Sequence, residues 1–242
     1  MDSKQRQRDS HAHCGRKVDE FRAANGLVGK TAIPWLNRPD PVKGFFFALQ
    51  AISKRVVAGD EDLVIYCARN PLTVDWTEDP FTNRIIELMS QRYLSLQDGQ
   101  MHEVGEHVRV VAQPPRSREE RRTFLWAGDF FIAASAVESL GAAFVEQMAA
   151  GLPGVALDSG ALSDLIAHGR SGFVVPFTRN PDIDQVASYL GILRNDPTLR
   201  AQMGHAAMDE MQARFDQTRL TAKRERYYRG LIDQGSRARA AA

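Results

Sequence analysis

Two basic residues stand five apart in the segment NRPDPVKG: Arg38 and Lys43. Two cations fixed beside the start of a helix neutralise a diphosphate, because charge-assisted hydrogen bonds add to the field of the helix dipole. Taken alone, the pair reads more readily as solvated surface charges, since basic residues near turns are common. A second stretch, ESLGAAFVE, begins and ends on carboxylates, Glu138 and Glu146. Between them Gly141 leads into a helix. It has no side chain, so a ligand can approach the main-chain amides of Ala142 and Ala143, where the dipole favours an anion. Glu146 lies about one helical turn further in, and its carboxylate can accept hydrogen bonds from two neighbouring hydroxyls, as a ribose presents them. The bland alternatives are a solvated loop acid for Glu138 and an exposed helix acid for Glu146. The small and apolar neighbours in AAFVEQMAAGLP sit less comfortably with the latter. The third patch is Gly160, in DSGALSDL, which is either a site of close backbone approach or a plain turn glycine.

The elements that must position these residues alternate along the chain. TAIPWLNR (31–38) reads as a buried strand, and Phe45, Phe46, Leu49, Ile52 and Val56 follow at helical spacing until Gly59. DLVIYCA (62–68) is a second apolar strand. A helix is expected near Thr82 to Leu96, and VRVVAQ (108–113) is a third strand. SREERRTFLWAG opens with a serine cap and acidic residues close behind, the signature of a helix start. DFFIAAS (129–135), PGVALD and GFVVPF complete the strands, with short helices between them, and the last stretch is helical and broken near Pro197. Strands and helices in alternation predict an α/β fold: a single Rossmann-like, doubly wound parallel sheet of about six strands with a long C-terminal helical segment. Ligands of such sheets bind at the carboxyl ends of the strands, where all three patches fall. Residues 1–28 read as a polar, flexible tail with one short helix near Val18 to Asn25, residues 29–232 as the folded domain and residues 233–242 as a basic flexible tail.

Composition narrows the classes. The chain has 242 residues, 43% hydrophobic and 25% charged, with a formal net charge of +1, so nothing in the balance points to nucleic acid. The two cysteines, Cys14 and Cys67, do not make a disulfide framework and fit a reducing compartment. The N-terminal residues lack the apolar stretch of a secretory signal. The most apolar stretch, Asp129 to Leu157, is interrupted by Glu138, Glu146 and glycines, which argues against a transmembrane segment. A cytoplasmic protein is expected. His11, His13 and Cys14 lie in a polar tail with no fourth partner, so no metal is expected. Ser135 is not in a G-x-S-x-G elbow, and no G-x-G-x-x-G follows the first strand, which argues against a dinucleotide oxidoreductase.

The stretch from Asp129 to Pro176 resembles the C-terminal, donor-binding domain of GT-B glycosyltransferases of family 4 (glycosyl transferases group 1). Glu138, Leu140, Gly141, Glu146, MAAGLP, Gly160 and SGFVVP occur here in the family's order, and Arg38 with Lys43 and Gly44 matches its upstream arginine and lysine-glycine. The sequence departs from the pattern at Asn37, in CARNPL and at Ser163-Asp164. The resemblance implies a retaining, metal-independent hexosyl transfer from a nucleotide-diphospho-sugar to a sugar or other small hydroxyl acceptor, with no cofactor. It implies that Arg38 and Lys43 hold the leaving diphosphate and that Glu138 contacts the donor sugar. Gly141 to Phe144 would line sugar and phosphates with main chain, and Glu146 would bind the ribose. It also implies an N-terminal acceptor domain. Little chain precedes the first strand here, so transfer is expected to be incomplete without that domain, whether on a separate chain or in a homo-oligomer. The rival readings are a non-catalytic nucleotide-sugar-binding module or partner subunit and, more remotely, a nucleotide-sugar epimerase.

Overall fold

The computed structural model of the chain describes residues 15–38, 42–67, 108–111 and 115–240. The strands are β1 (Thr31–Trp35), β2 (Leu63–Cys67), β3 (Val108–Val110), β4 (Phe131–Ala133), β5 (Gly154–Leu157) and β6 (Gly172–Val175). The helices are α1 (residues 15–24), α2 (Phe45–Val57), α3 (Arg118–Trp126), α4 (Ala142–Ala149), α5 (Leu162–Leu165), α6 (Ile183–Asn195), α7 (Pro197–Phe215) and α8 (Gln217–Ala240). The helix expected near Thr82 to Leu96 lies outside the described residues, as do His11, His13 and Cys14.

All strand pairs are parallel, but the ladder comes in two parts, β1-β2-β3 and β4-β5-β6. Asp129, just before β4, brings the parts side by side. Its amide donates to the Ala32 carbonyl at 2.8 Å, and its carboxylate accepts from the Ala32 amide at 2.8 Å. The spatial order is therefore β3-β2-β1-β4-β5-β6, the expected doubly wound arrangement. The break has a covalent reason. Both main-chain groups of Ala32 face β4, so by the two-residue period of a strand those of Pro34 do too, and proline has no N–H to give. A side chain does what the ladder cannot. Asp129 is held in turn by two guanidiniums, Arg22 at 3.6 Å and Arg200 at 3.5 Å.

β1, β2, β4, β5 and β6 are buried on both faces, as continuous apolar runs require. Ile33, Trp35, Leu63, Ile65 and Ile132 pack with Phe45, Ile52, Leu190 and Leu193, under α2 and α6. Their sequence neighbours point the other way: Ala32, Val64 and Tyr66 pack with Phe124 and Leu125 of α3, and Phe131 and Ala133 pack with Phe144, Met148 and Met211 of α4 and α7. Burial pushes the Tyr66 hydroxyl well above its ordinary range, and it donates to the Phe124 carbonyl.

The N-terminal boundary moves. Residues 15–28 are part of the domain: Val18 and Phe21 pack on the α3 side, Leu27 is fully buried, and Arg22 donates to the carbonyls of Ala127 (2.5 Å), Leu27 (2.9 Å) and Lys30 (2.6 Å). The polarity that suggested a tail comes from the solvent side of a docked amphipathic helix. At the other end α8 continues to Ala240, so residues 233–240 are helical rather than a loose tail. Its Tyr227, Tyr228, Leu231 and Ile232 are exposed. Among the described residues no helix is long and apolar enough to cross a membrane.

At the amino ends of β1 and β2, Arg194 binds Asp62 through Nε at 2.7 Å and Asp60 at 3.0 Å, and the Thr31 hydroxyl donates to Asp62 at 2.8 Å. Burial works to raise the Asp62 carboxyl, but the Arg194 and Thr31 hydrogen bonds and the Arg194 charge outweigh it and hold the group below the usual aspartate range. A carboxylate depressed in the fold adds stability above its unfolded pKa and loses it as pH falls through the folded value. Asp62→Asn is therefore expected to lower Tm at neutral pH, with the gap to wild type closing as pH is taken below the ordinary aspartate range, read by thermal denaturation across pH. Asp129→Ala is expected to cost about 3 kcal/mol in urea denaturation, because it leaves the Ala32 amide unpaired and takes the counter-charge from two partly buried guanidiniums.

Candidate functional site

From β1 the chain winds outward through β2, and from β4 it winds the opposite way through β5. The seam between β1 and β4 is the point where the winding reverses, which is where sheets of this kind open a crevice. Two helices begin there. The N-cap of α2 is Gly44, at φ 74°, and that of α4 is Gly141, at φ 76°; among the described residues neither helix has a side-chain cap. Both therefore present first-turn amides, and the positive ends of their dipoles, to the same crevice. Aromatic pairs anchor each helix to its strand. Trp35 of β1 meets Phe45 of α2 edge-on at 5.0 Å, and Phe131 of β4 stacks on Phe144 of α4 at 5.8 Å.

The loop from β4 to α4 is clamped from both sides. The Ala136 amide donates to the Val42 carbonyl at 2.8 Å, the Ser159 hydroxyl donates to the Ser135 carbonyl at 2.5 Å, and the Ala161 amide donates to the Glu138 carbonyl at 3.3 Å. Two glycines make this closeness possible. A Cβ on Gly44 would stand 2.0 Å from the Ala134 carbonyl oxygen, and one on Gly160, at φ +57°, would stand 1.8 Å from the Glu138 carbonyl oxygen. Gly160 thus permits a close approach, but of the chain's own loop.

That clamp sets Glu138. Its Oε2 accepts from Lys43 Nζ at 2.9 Å across the seam, and its Oε1 accepts from the Gly141 amide at 3.2 Å. The pair is largely shielded from water, with side-chain exposures of 23% for Lys43 and 12% for Glu138. Lys43, Gly44, Glu138 and Gly141, drawn from two distant segments, form one constellation. Arg38 follows β1 at the same edge with its side chain exposed, its carbonyl accepting from Trp35 Nε1 at 3.2 Å. Ala142 is exposed and Ala143 half-buried. The Phe144 amide donates to the Gly141 carbonyl at 2.8 Å and its ring is buried, so its side chain anchors the helix.

Glu146 faces α3, where Arg121 Nε lies 3.4 Å from its Oε2 and Nη1 lies 3.5 Å from its Oε1. Ion-pair range is met, yet among the described residues Oε2 is secluded from solvent without a hydrogen bond, as are Ser135 Oγ and Gln147 Oε1. Arg121 and Ser159 were missed by the reading of sequence. Ser159 gives no signal beyond a small polar residue near a turn. Arg121 sits in a charge run that reads as a solvated face.

Residues 91–210 match the profile of the family described as glycosyl transferases group 1. The D-inositol 3-phosphate glycosyltransferase of Streptomyces scabiei is 31% identical over 231 residues, which are 91% of this chain and 48% of that protein. Anabaena HepE in complex with UDP shares the fold with a TM-score of 0.68 at 18% identity, covering 89% of this chain and 53% of that one. The C-terminal domain of a glycosyl transferase group 1 family protein from Francisella tularensis shares it with a TM-score of 0.55 at 16% identity, covering 77% of this chain and 86% of that domain. The chain spans about half the length of the curated relatives it matches.

Gly160→Ala is expected to lower stability by about 1–3 kcal/mol, since strain at positive φ adds to the collision with the Glu138 carbonyl. Urea denaturation reads it. A variant as stable as wild type would mean that the loop is not held as described.

Proposed function

From the glycosyl transferases group 1 domain that residues 91–210 carry, and from its likeness to the C-terminal halves of GT-B enzymes, we propose that this chain binds the donor in a retaining, metal-independent hexosyl transfer from a nucleotide-diphospho-sugar. One observation carries the reading. Lys43 and Glu138 meet at 2.9 Å where the winding reverses, at the mouth of two helices without side-chain caps.

In this reading the diphosphate displaces Glu138 as the partner of Lys43 and lies against the Ala142 and Ala143 amides, with Arg38 as the second cation. The anomeric C–O bond breaks with its electron pair leaving on the diphosphate, while the acceptor oxygen bonds on the same face and passes its proton to the departing phosphate oxygen. Negative charge grows on the leaving group, and cations already fixed beside it stabilise that charge without reorganising. Glu138, freed from Lys43 and still tied to the Gly141 amide, turns to the hydroxyls of the transferred sugar. Glu146 takes the ribose diol. The GDP-mannose-dependent mannosyltransferase of Mycolicibacterium smegmatis, 38% identical over 88 residues, and the UDP complex of Anabaena HepE support a nucleoside diphosphate and leave the base open.

The half-length match to relatives favours a second reading beside the first: a donor module that transfers only with an acceptor domain opposite, because orienting two substrates needs both walls of the cleft.

Calorimetry with UDP, GDP and ADP sugars, then nucleotide release with candidate acceptors, tests both. One nucleotide is expected to bind. Lys43→Ala is expected to weaken it about tenfold or more, the worth of a hydrogen bond to a charged group. Glu138→Ala is expected to abolish transfer while nucleoside diphosphate binding stays within a few fold. Binding without turnover supports the module, and no binding of any of the three sinks the donor reading.

A further inference from the structure

We infer that Arg121 is a positioning residue for the nucleoside end of the donor, acting through Glu146. The inference rests on the donor reading above, in which Glu146 takes a ribose diol.

The geometry is that of an orienting contact and not of a saturating one. Arg121 meets both carboxylate oxygens side-on, at 3.4 Å and 3.5 Å, whereas a full charge-assisted hydrogen bond closes to about 2.8 Å. Arg121 therefore supplies charge and direction while the acceptor lone pairs stay largely unspent. A carboxylate has about four of them. Oε2 lies on the Arg121 side, secluded from water and without a hydrogen bond among the described residues, so it fixes which way the carboxylate is turned. Oε1, not so secluded and held only by the long contact from Arg121, is the acceptor a hydroxyl can use.

Arg121 is well placed to hold a direction. It lies in the first turn of α3, and its amide donates to the Ser117 carbonyl at 3.0 Å. That turn is fixed by a reciprocal cap: the Glu120 amide donates to the Ser117 hydroxyl at 3.1 Å, and the Ser117 amide donates to Glu120 Oε2 at 2.8 Å. The cation thus projects from a nailed-down helix start.

The pattern repeats that of the diphosphate end. A nucleoside diphosphate brings at least two negative charges against Glu138 and Glu146, and each carboxylate has a cation from the neighbouring element facing it, Lys43 for one and Arg121 for the other. Lys43 must let go of its carboxylate to meet phosphate. Arg121 need not, because hydroxyls seek the carboxylate itself.

The test compares each of UDP, GDP and ADP with its 2′,3′-dideoxy form, titrated into wild type, Arg121→Ala and Arg121→Lys. Through-space effects of the lost charge fall on both forms alike and cancel in the affinity ratio. Wild type is expected to favour the ribo form. In Arg121→Ala the ratio is expected to drop by roughly threefold, at the scale of a half-exposed ion pair, and in Arg121→Lys to stay near wild type. Equal Tm values for the three proteins are expected, because Arg121 is exposed. A ratio that is unchanged or larger in Arg121→Ala overturns the inference. So does a wild type that binds a nucleotide but is indifferent to the diol, which removes the ribose role of Glu146 and leaves the diphosphate site of the donor reading standing. Failure of wild type to bind any of the three is the distinct result that removes the donor reading itself.

Discussion

Everything at the carboxyl edge depends on how two half-sheets are joined at Ala32 and Asp129. Pro34 takes an N–H out of the middle of the sheet, on the side where β4 must lie. The chain makes good the loss with a carboxylate at one end of the seam and a loop-to-loop hydrogen bond, Ala136 to Val42, at the other. The crevice is where the second tie sits. Lys43 and Glu138, ninety-five positions apart, face each other only because both ties hold.

Two kinds of information were written in the chain at different depths. The strands were legible because each is a short apolar run bounded by polar turns, and burial on both faces leaves such a run little freedom to be anything else. The start of α3 was legible from Ser117 and Glu120, which cap one another within four residues. The glutamate pair and its glycine were legible as a motif, and so was the helix that Gly141 opens and that carries Glu146. Contacts between distant segments were not. Nothing in REERR tells that Arg121 meets Glu146, because the partner lies twenty-five residues away on another helix. The docking of residues 15–28 was hidden similarly: Arg22 ends on three carbonyls, acceptors that every residue owns and no composition betrays. Pro34 did carry a warning against an unbroken central strand, one that apolar neighbours on either side drown out.

The two glycine-started helices differ in what they ask of their neighbours. A side chain at Gly44 would strike main chain of the β4 loop, whereas one at Gly141 would meet the Phe144 ring at 3.0 Å and the Glu138 side chain at 3.4 Å. The first is a packing necessity and the second keeps the mouth of α4 low. Conformation and clearance together bring the two helix starts close to the loop of β4, with Lys43 and Glu138 meeting between them.

Arg22 also ties the opening helix to the sheet. A chain trimmed to start at Thr31 would still hold every strand, but it would leave the carbonyl of Ala127 and one side of Asp129 facing water, and it would strip Phe21 from the rings of Tyr66 and Phe124, each 6.0 Å away. The opening helix is thus a cover on one face of the sheet, and a piece cut at the first strand would be a sheet missing its shutter.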